Sequence, residues 1–445
     1  MKRAIVLVLA LGCSTADVPE SRMRAGTAKA KITPAGPVLM AGYGSRNKPS
    51  EGVAAELWAR VLALDDGTGE PKVLVTADII GFGPALSRSL KAEAQKRYGL
   101  SDSRLLLVGS HTHSGPVTSD PAFADGLQTT LLDLIGQALG AMTPARLEWA
   151  IGRAGIGMYR RLPKPDGTWV FGDHPDGPVD PDLPVMAVRA PDGTLRALFF
   201  TFACHCTSIR NGKDGFYRIH PDWAICCSSL EQKLPGTQVM FVTGCGADID
   251  PAVRGPLGDA EKNGASMVSS LEAVLQGGSF KPVSGPIRAR GKRLDLPLEK
   301  LDGEAVQRMA EKGRPAEKKF AEDLLRRRHT GPVRDSHVEF PIVAWRFGAG
   351  PTIVGLAGET CVEYALRLKK ELGGDRVWPV GYANEVMCYI PSERVLRENG
   401  YESGWSPTFG RGVAAFQMSG YGWDTPFAVG IEDRIVSGVH ELMKD

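Results

Sequence analysis

The sequence is short of the features that mark a nucleic-acid-binding or repeat protein. Its 53 basic residues are almost balanced by 51 acidic ones, so there is no global positive field to attract nucleic acid. It has no low-complexity tract, and no residue spacing suggests tandem repeats. What is present is the composition of an ordinary soluble globular protein, with 43% hydrophobic and 23% charged residues.

The first residues are predicted to form an export signal. Lys2 and Arg3 are basic, and the apolar stretch over residues 4–11 is far too short to span a bilayer. Residues 10–13, Ala-Leu-Gly-Cys, are similar to a bacterial lipoprotein cleavage box in which Cys13 is lipidated. We therefore expect a signal peptide over 1–12, a tether over 13–24, and a periplasmic or cell-surface lipoprotein that associates with the membrane through Cys13. Plain secretion is the alternative, and the oligomeric state is not predicted.

Strand-like runs alternate with helix-like segments, and no linker separates two independent domains. This alternation predicts the α/β (α+β) class, with layered mixed β-sheets flanked by helices in a single domain over residues 25–445. The predicted strands are Trp58–Leu64, Lys72–Ala77, Leu105–Val108, Val185–Arg189, Arg196–Ala203, Gln238–Val242, Thr352–Leu356 and Val377–Gly381. The predicted helices are Pro84–Tyr98, Leu127–Gly140, Gly258–Leu275, Gly303–Arg328, Thr360–Leu372 and Glu432–Met443.

The most informative motif is His111-Thr112-His113, directly after an apolar run. The run predicts a buried strand, and residues two apart on a strand point to the same side, so both imidazoles are expected on one face. Neutral imidazole is the commonest metal ligand in proteins, and such a pair can hold a metal or divide metal binding and acid–base duty. A polar pair in an exposed loop is the alternative.

Other strand-like runs also end in reactive side chains, namely His205, Asp248, Asp250, Glu359 and Tyr389. A hydrolytic zinc ion takes about three or four protein ligands and keeps one position open. Two histidines, one carboxylate and one phenol meet that count. Structural alternatives remain for each of them: a hydrogen-bonded core histidine, a turn-capping aspartate, a carboxylate at a helix N-terminus, or a tyrosine in the core or at its rim.

Several blocks of the sequence resemble the catalytic domain of the neutral/alkaline (non-lysosomal) ceramidases. The most specific is Ser110–Pro116, Ser-His-Thr-His-Ser-Gly-Pro, which is similar to the family's zinc motif. The resemblance begins at Ala25–Pro34, continues through Met40–Tyr43 and Trp58–Arg60, and covers most of the chain with weaker stretches. It implies a Zn²⁺-dependent hydrolase of the amide bond in a small-molecule or lipid-like N-acyl substrate.

The resemblance also implies a role for particular residues. The zinc ligands that it implies are His111, His205, Glu359 and Tyr389. The further catalytic residues that it implies are His113 at the reacting carbonyl, Arg160 lining the site, and Tyr401 at the tetrahedral intermediate.

Asp250 departs from the family pattern, because it stands where the family has its nucleophilic serine. An acyl-aspartate would be an anhydride, so we expect direct attack by a metal-activated water, with Asp250 or His113 accepting its proton. Whether Asp248 or Asp250 faces the metal is left open. The Ig-like domain that follows the catalytic domain in true ceramidases has no room here, so we expect a divergent bacterial member and doubt ceramide as substrate. The alternatives are a zinc esterase or deacylase, and a non-catalytic, surface-anchored binding protein that retains the fold.

Overall fold

The computed structural model describes residues 22–300, 302–313, 315–331, 336–404, 418 and 420–444. The predicted signal peptide, Cys13 and positions 14–21 of the predicted tether lie outside the described residues. Met23 is buried and the first strand begins at Arg24, so the packed structure starts within the last residues of that tether. Among the described residues, no helix is long and apolar enough to cross a membrane.

Three units with the same strand topology build the fold. In each unit three successive strands pair antiparallel, and a crossover then leads to a fourth strand that lies parallel to the third. The first unit contains β1 (Arg24–Lys31), β2 (Trp58–Asp65), β3 (Lys72–Ala77) and β4 (Leu105–Gly109). The second contains β6 (Arg146–Arg153), β10 (Asp182–Arg189), β11 (Leu195–Phe202) and β12 (Gln238–Thr243). The third contains β15 (Ile287–Pro297), β16 (His337–Phe347), β17 (Thr352–Leu356) and β19 (Val377–Val380).

Short strands extend the sheets or form separate pairs. Two of them lie at sheet edges, β5 (Thr143–Pro144) beside β1 and β14 (Lys281–Pro282) beside β6. The separate pairs are β7 (Gly157–Tyr159) with β13 (Ile249–Pro251), β8 (Arg161–Pro163) with β9 (Trp169–Phe171), and β18 (Glu359–Thr360) with β20 (Tyr389–Ile390).

A pair of helices covers the outer face of each main sheet. The first sheet carries α1 (Pro84–Tyr98) and α2 (Pro121–Gly140), and the second carries α3 (Cys226–Lys233) and α4 (Leu257–Gln276). The third carries α7 (Val362–Leu372) and α9 (Ile431–Met443). The other described helices are α5 (Gly303–Lys312), α6 (Pro315–Thr330) and α8 (Glu393–Glu398).

The inner faces of the three sheets share one apolar core. Side chains alternate along each strand, so Leu62 and Leu64 of β2 enter the central core while Val61 and Ala63 face the covering helices. The carboxyl ends of β4, β12 and β19 meet at one end of this core. There the Thr243 hydroxyl donates to the Gly109 carbonyl at 2.7 Å, and isolated bridges join Gly244 to Val380 and Val108 to Ala383.

A glycine permits this close approach. A Cβ atom on Gly381 would lie 2.9 Å from the carbonyl oxygen of Gly244, a distance at which the two backbones could no longer meet. The three units are thereby held together directly beneath the residues that follow their fourth strands.

The predicted α/β architecture with mixed sheets is confirmed, and three predicted elements match to the residue: Lys72–Ala77, Pro84–Tyr98 and Thr352–Leu356. The three units share strand order and not residue spacing, which agrees with the absence of a repeated spacing in the sequence. The single helix predicted over Gly303–Arg328 is wrong. It is two helices, since the first ends at a Gly313 cap and the second begins at Pro315.

Candidate active site

The candidate site lies where strand ends from all three units meet. His111 follows β4 by two residues, His205 follows β11 by three, and Glu359 follows β17 by three. All three side chains are buried, with 2% exposure or less. Because each comes from a different unit, the site exists only when the whole core is assembled. Crevices outside the carboxyl ends of parallel strands are the usual ligand sites of such sheets.

The two imidazoles each direct Nε2 into the site. His111 Nδ1 lies 2.7 Å from the Ile80 carbonyl oxygen, and His205 Nδ1 lies 2.7 Å from that of Gly246. A carbonyl oxygen can only accept a hydrogen bond, so the ring proton of each histidine belongs on Nδ1. Nε2 then carries the lone pair, which is the arrangement of a metal-binding imidazole with a backbone partner behind it.

These donor atoms have the spacing that a metal ion requires. The Nε2 atoms of His111 and His205 each lie 3.3 Å from Glu359 Oε2. A tetrahedral zinc ion with bonds of about 2.1 Å has ligand atoms roughly 3.4 Å apart. Among the described residues, His205 Nε2 and Glu359 Oε2 are buried without a hydrogen-bond partner, and an unsatisfied buried polar group costs about 1–3 kcal/mol. The residues present therefore fit a bound cation.

The Glu359 carboxylate is electrostatically prepared for this role. Burial alone would raise its pKa, but the positive charge that His111 and His205 carry when protonated holds the pKa of Glu359 well below its ordinary value, and a cation bound at the same place would act in the same direction. Its other oxygen, Oε1, accepts a hydrogen bond from the Tyr421 hydroxyl. The residue is thus an ionised carboxylate with one oxygen facing the imidazoles.

His113 joins the same group of imidazoles. Its Nε2 lies 3.1 Å from His111 Nε2, and the ligand atoms of His111, His113 and His205 all lie within 4.8 Å of one another. Its Nδ1 is buried with no hydrogen-bond partner in the described part of the chain. Burial, followed by His111 and His205, lowers the pKa of His113 well below 6.5. The geometry alone permits His113 to be either a metal ligand or a base.

The reason predicted for the pairing of these two histidines is wrong. β4 ends at Gly109, and His111 lies beyond it in the left-handed region at φ 59°. Strand alternation therefore does not align the two rings. Instead Thr112 bridges to Cys206, and the backbone at Gly42 leaves room for His113, because a Cβ there would lie 2.4 Å from the His113 ring. A bend stabilised by other segments brings the imidazoles together.

Arg160 connects this group to the other predicted site residues. The buried guanidinium donates to Glu402 Oε1 at 2.9 Å, to Asp250 Oδ1 at 3.0 Å and to the Tyr389 hydroxyl at 3.2 Å. Tyr389 is paired with Glu359 through the β18–β20 bridge, which brings the phenol beside the carboxylate. The Tyr401 ring lies 5.6 Å from the Tyr389 ring and is 38% exposed, at the rim of the site.

The two aspartates after β12 have different surroundings. Asp250 Oδ1 also accepts from the Thr207 hydroxyl at 3.0 Å, and its Oδ2 accepts from Arg254. Burial would raise the pKa of Asp250, but Arg160, His205 and Arg254 lower it below the usual value. The structure thus places Asp250 on the side of the candidate site.

Asp248 faces a different element. Its Oδ1 accepts from the backbone N–H of Val362, at the first turn of α7, and its Oδ2 has no partner among the described residues. Burial, with a smaller contribution from Glu402, raises the pKa of Asp248 to about 7. Asp248 is therefore a helix-capping residue, as one of the structural alternatives allowed.

Four buried or partly buried neighbours of the site were not predicted from the sequence. Glu402 directly follows Tyr401, and Arg254 follows Asp250 by four positions, so their spacing offered a weak signal. Thr207 and Tyr421 offered none. The described cysteines, including Cys204 and Cys206, are buried free thiols and do not join the imidazole group.

Comparison with known proteins gives one consistent relationship. No family model matches the chain. It is 27% identical over 240 residues to the neutral ceramidase of Pseudomonas aeruginosa, and 25% identical over 272 residues to neutral ceramidase A of Dictyostelium discoideum. These matches cover 49% and 53% of this chain but only 34% and 37% of the relatives, so the matched region spans about a third of their length.

Solved structures extend the relationship to the fold. The crystal structure of Pseudomonas aeruginosa neutral ceramidase superimposes with a TM-score of 0.68 at 19% identity, covering 94% of this chain and 73% of that one. A ceramidase complexed with C2 gives the same TM-score at 18% identity, with 85% and 71% covered. This chain is thus similar in sequence to the neutral ceramidases, at low identity and over part of their length, and it shares their fold.

Proposed function

We propose that this chain is a zinc-dependent hydrolase that cleaves the amide bond of an N-acyl substrate. The observation that carries the proposal is the convergence of His111 Nε2, His205 Nε2 and Glu359 Oε2, from three different units, at 3.3 Å spacings beside Arg160. The neutral ceramidases to which the chain is similar are named for hydrolysis of ceramide, whose scissile bond is an amide.

Zn²⁺ would be held by His111, His205, Glu359 and the phenolic oxygen of Tyr389. When bound, zinc supplies a Lewis acid that polarises a carbonyl group and lowers the pKa of water. The types of ligand support zinc, because imidazole nitrogen together with carboxylate oxygen is the usual zinc environment in hydrolases. Side chains of the protein are proposed to accept the proton and to stabilise the oxyanion.

His113 is the proposed proton acceptor for the attacking water. Sequence reasoning left Asp250 and His113 as alternatives, and the hydrogen bonds favour the histidine. Both oxygens of Asp250 are occupied, by Arg160 and Thr207 on one side and by Arg254 on the other. A carboxylate bound by two guanidiniums has both oxygens engaged, whereas burial keeps His113 neutral and its Nδ1 has no hydrogen-bond partner among the described residues, so a ring nitrogen is free to accept a proton.

Asp250 instead fixes the orientation of Arg160. The guanidinium has five N–H donors, and the contacts to Glu402, Asp250 and Tyr389 use three of them. The remaining donors, with the Tyr401 hydroxyl at the rim, would stabilise the oxyanion of the tetrahedral intermediate. Because Asp250 stands where the resemblance to the ceramidases implies a nucleophilic serine, we propose that water attacks the carbonyl directly and that no acyl-enzyme forms.

The surroundings of the site are compatible with a lipid-like acyl chain. Phe171 is 49% exposed, its ring lies 5.4 Å from that of Tyr401, and it covers the Arg160 guanidinium at 4.9 Å. We further propose that residues 1–12 are an export signal and that Cys13 is lipidated. The apolar rim would then work outside the cytoplasm, next to a membrane that contains acylated substrates.

Metal analysis combined with a substrate panel tests the proposal. We expect about one zinc ion per chain in the parent and none in His111→Ala, with activity on N-acyl substrates falling at least 10³-fold. Turnover of O-acyl substrates alone would replace the amidase assignment with an esterase or deacylase. If the zinc-loaded parent protein binds N-acyl or O-acyl compounds but hydrolyses neither, the binding-protein alternative would be favoured.

A further inference from the structure

Tyr421 is the side-chain partner of the candidate metal-binding carboxylate. Its hydroxyl donates to Glu359 Oε1, while Oε2 of the same carboxylate faces His111 and His205. The two oxygens therefore have separate tasks. One hydrogen-bonded oxygen leaves the other free to face the imidazoles, and it opposes rotation of the carboxylate about its last torsion.

Tyr421 is itself held in place by neighbouring backbone. Its N–H donates to the Met418 carbonyl at 3.1 Å, and the following turn is fixed by Trp423, whose indole N–H donates to the Met387 carbonyl at 2.9 Å. The Tyr421 ring packs against a small buried cluster that includes Tyr389. Tyr421 thus donates to one of the two oxygen-donating residues proposed for the metal and packs against the cluster that contains the other.

The other candidate ligands are supported by backbone instead. His111 and His205 each place Nδ1 against a carbonyl oxygen, of Ile80 and Gly246, which no substitution can remove. Partners behind a metal ligand fix its orientation, and their loss commonly costs 10- to 100-fold in metal affinity. Tyr421 is the support that mutagenesis can delete while the ligand itself stays intact.

We propose that Tyr421 is a positioning residue for the metal centre, which orients Glu359 so that only Oε2 is presented to the ion. The proposal rests on the proposed function in one respect, that Glu359 binds the metal. It does not depend on which substrate is cleaved, or on turnover. It predicts that the Tyr421 hydroxyl contributes to metal affinity rather than to folding.

The test is the zinc affinity of Tyr421→Phe, measured by competition with a chromophoric chelator on the full chain. The substitution removes the donor and keeps the ring, so we expect the zinc Kd to rise about 10- to 100-fold. The matched control is Tyr364→Phe in α7. Tyr364 is buried, whereas Tyr421 is partly buried, and the Tyr364 hydroxyl donates to the Pro391 carbonyl at 3.0 Å instead of to a candidate ligand. The zinc Kd of Tyr364→Phe should stay within roughly twofold of the parent value, because the lost hydrogen bond does not involve a metal ligand.

Thermal unfolding of the metal-free proteins separates positioning from stability. Each variant loses one hydrogen bond to a buried group, so we expect similar and small decreases in Tm. Equal zinc affinity in Tyr421→Phe and the parent would overturn the positioning role while leaving the proposed hydrolase intact. A parent that binds no zinc would overturn both, and a Tyr421→Phe protein that unfolds much more readily than Tyr364→Phe would show a structural role instead.

Discussion

The same position in the three units carries three different residues. Three residues after the third strand stand Ile80 in the first unit, His205 in the second and Glu359 in the third. The second and third units place side chains in the candidate metal site there. At this position the first unit contributes only a backbone group, the Ile80 carbonyl that accepts from His111 Nδ1, and its own side-chain ligand, His111, comes from the segment after its fourth strand. The same position in the shared topology thus carries a candidate metal ligand in two units and a backbone hydrogen-bond acceptor in the other. The residue type at that position, and not the topology, determines its role.

The first and third units also differ in what surrounds a buried carboxylate at the end of the third strand. Asp78 accepts from the Trp58 N–H at 2.9 Å and lies 3.6 Å from Arg60, and burial raises its pKa despite that arginine. Glu359 is also buried, but the positive charge that His111 and His205 carry when protonated holds its pKa well below the usual value. A buried carboxylate is therefore a structural residue in one unit and a candidate ligand in another.

The largest predicted difference between the two carboxylates is seen when each is neutralised in a separate variant. Glu359→Gln should lower zinc affinity at least 100-fold and abolish hydrolysis, because it removes an anionic ligand. Asp78→Asn should bind zinc within a few-fold of the parent but lose roughly 2 kcal/mol of unfolding free energy, since Arg60 loses one of its two partners and keeps Glu231. Zinc titration and urea unfolding measure the two effects. Equal losses of zinc in both variants would show that the units are not chemically distinct.

Much of this architecture was accessible from the sequence, because apolar runs and turn residues mark strand ends. The pattern predicts His205, Glu359 and Tyr389 for that reason. His205 and Glu359 follow β11 and β17 by three residues, and Tyr389 begins the short strand β20, which pairs with Glu359. The threefold arrangement was not accessible. The units share hydrogen-bond topology and an alternation of buried residues, which many residue sets satisfy, so no spacing repeats.

The structure was least predictable where tertiary contacts override local pattern. β15 was not predicted, because its sequence, Ile-Arg-Ala-Arg-Gly-Lys-Arg-Leu-Asp-Leu-Pro, is polar and half exposed. It becomes a strand through its full-length pairing with β16. The left-handed conformation of His111 is equally invisible in sequence, since the bend around it depends on residues from distant segments.

A smaller effect distinguishes the two candidates for proton acceptor. His113→Gln should keep zinc within a few-fold of the parent and lower kcat by about 10²–10⁴, the usual contribution of a general base. Asp250→Asn should lower kcat only about 10-fold, through a less firmly oriented Arg160. Steady-state kinetics with zinc content measured on the same samples decide the matter. A loss above 10³-fold in Asp250→Asn would make the aspartate the base, and loss of zinc in His113→Gln would make the histidine a ligand.

The smallest predicted effect concerns Asp248, through which the second unit caps a helix of the third. The Asp248 carboxylate accepts from the Val362 N–H at the start of α7, whereas α1, the corresponding helix of the first unit, has Gly83 as its N-cap and no side-chain cap. Burial raises the pKa of Asp248 to about 7, so the folded chain keeps a proton that the unfolded chain releases near pH 4. The stability that this proton contributes is complete below about pH 4 and is lost as pH rises through 7, at about 1.4 kcal/mol per pH unit at most.

Asp248→Asn should therefore flatten the fall in unfolding free energy between pH 5 and pH 8, because an amide of the same shape does not titrate. The comparison is sharpened by Asp250, only two residues away, whose pKa is lowered mainly by Arg160 against the effect of burial. The ionised Asp250 carboxylate therefore contributes to the free energy of unfolding above its unfolded pKa, and this contribution is lost as pH falls. Asp250→Asn should accordingly flatten the fall in unfolding free energy at acid pH. Urea unfolding of both variants across pH 3–8 measures the two slopes. If Asp248→Asn kept the parent's slope above pH 5, the carboxylate would already be ionised in the folded protein, and its interaction with α7 would be that of a charged cap.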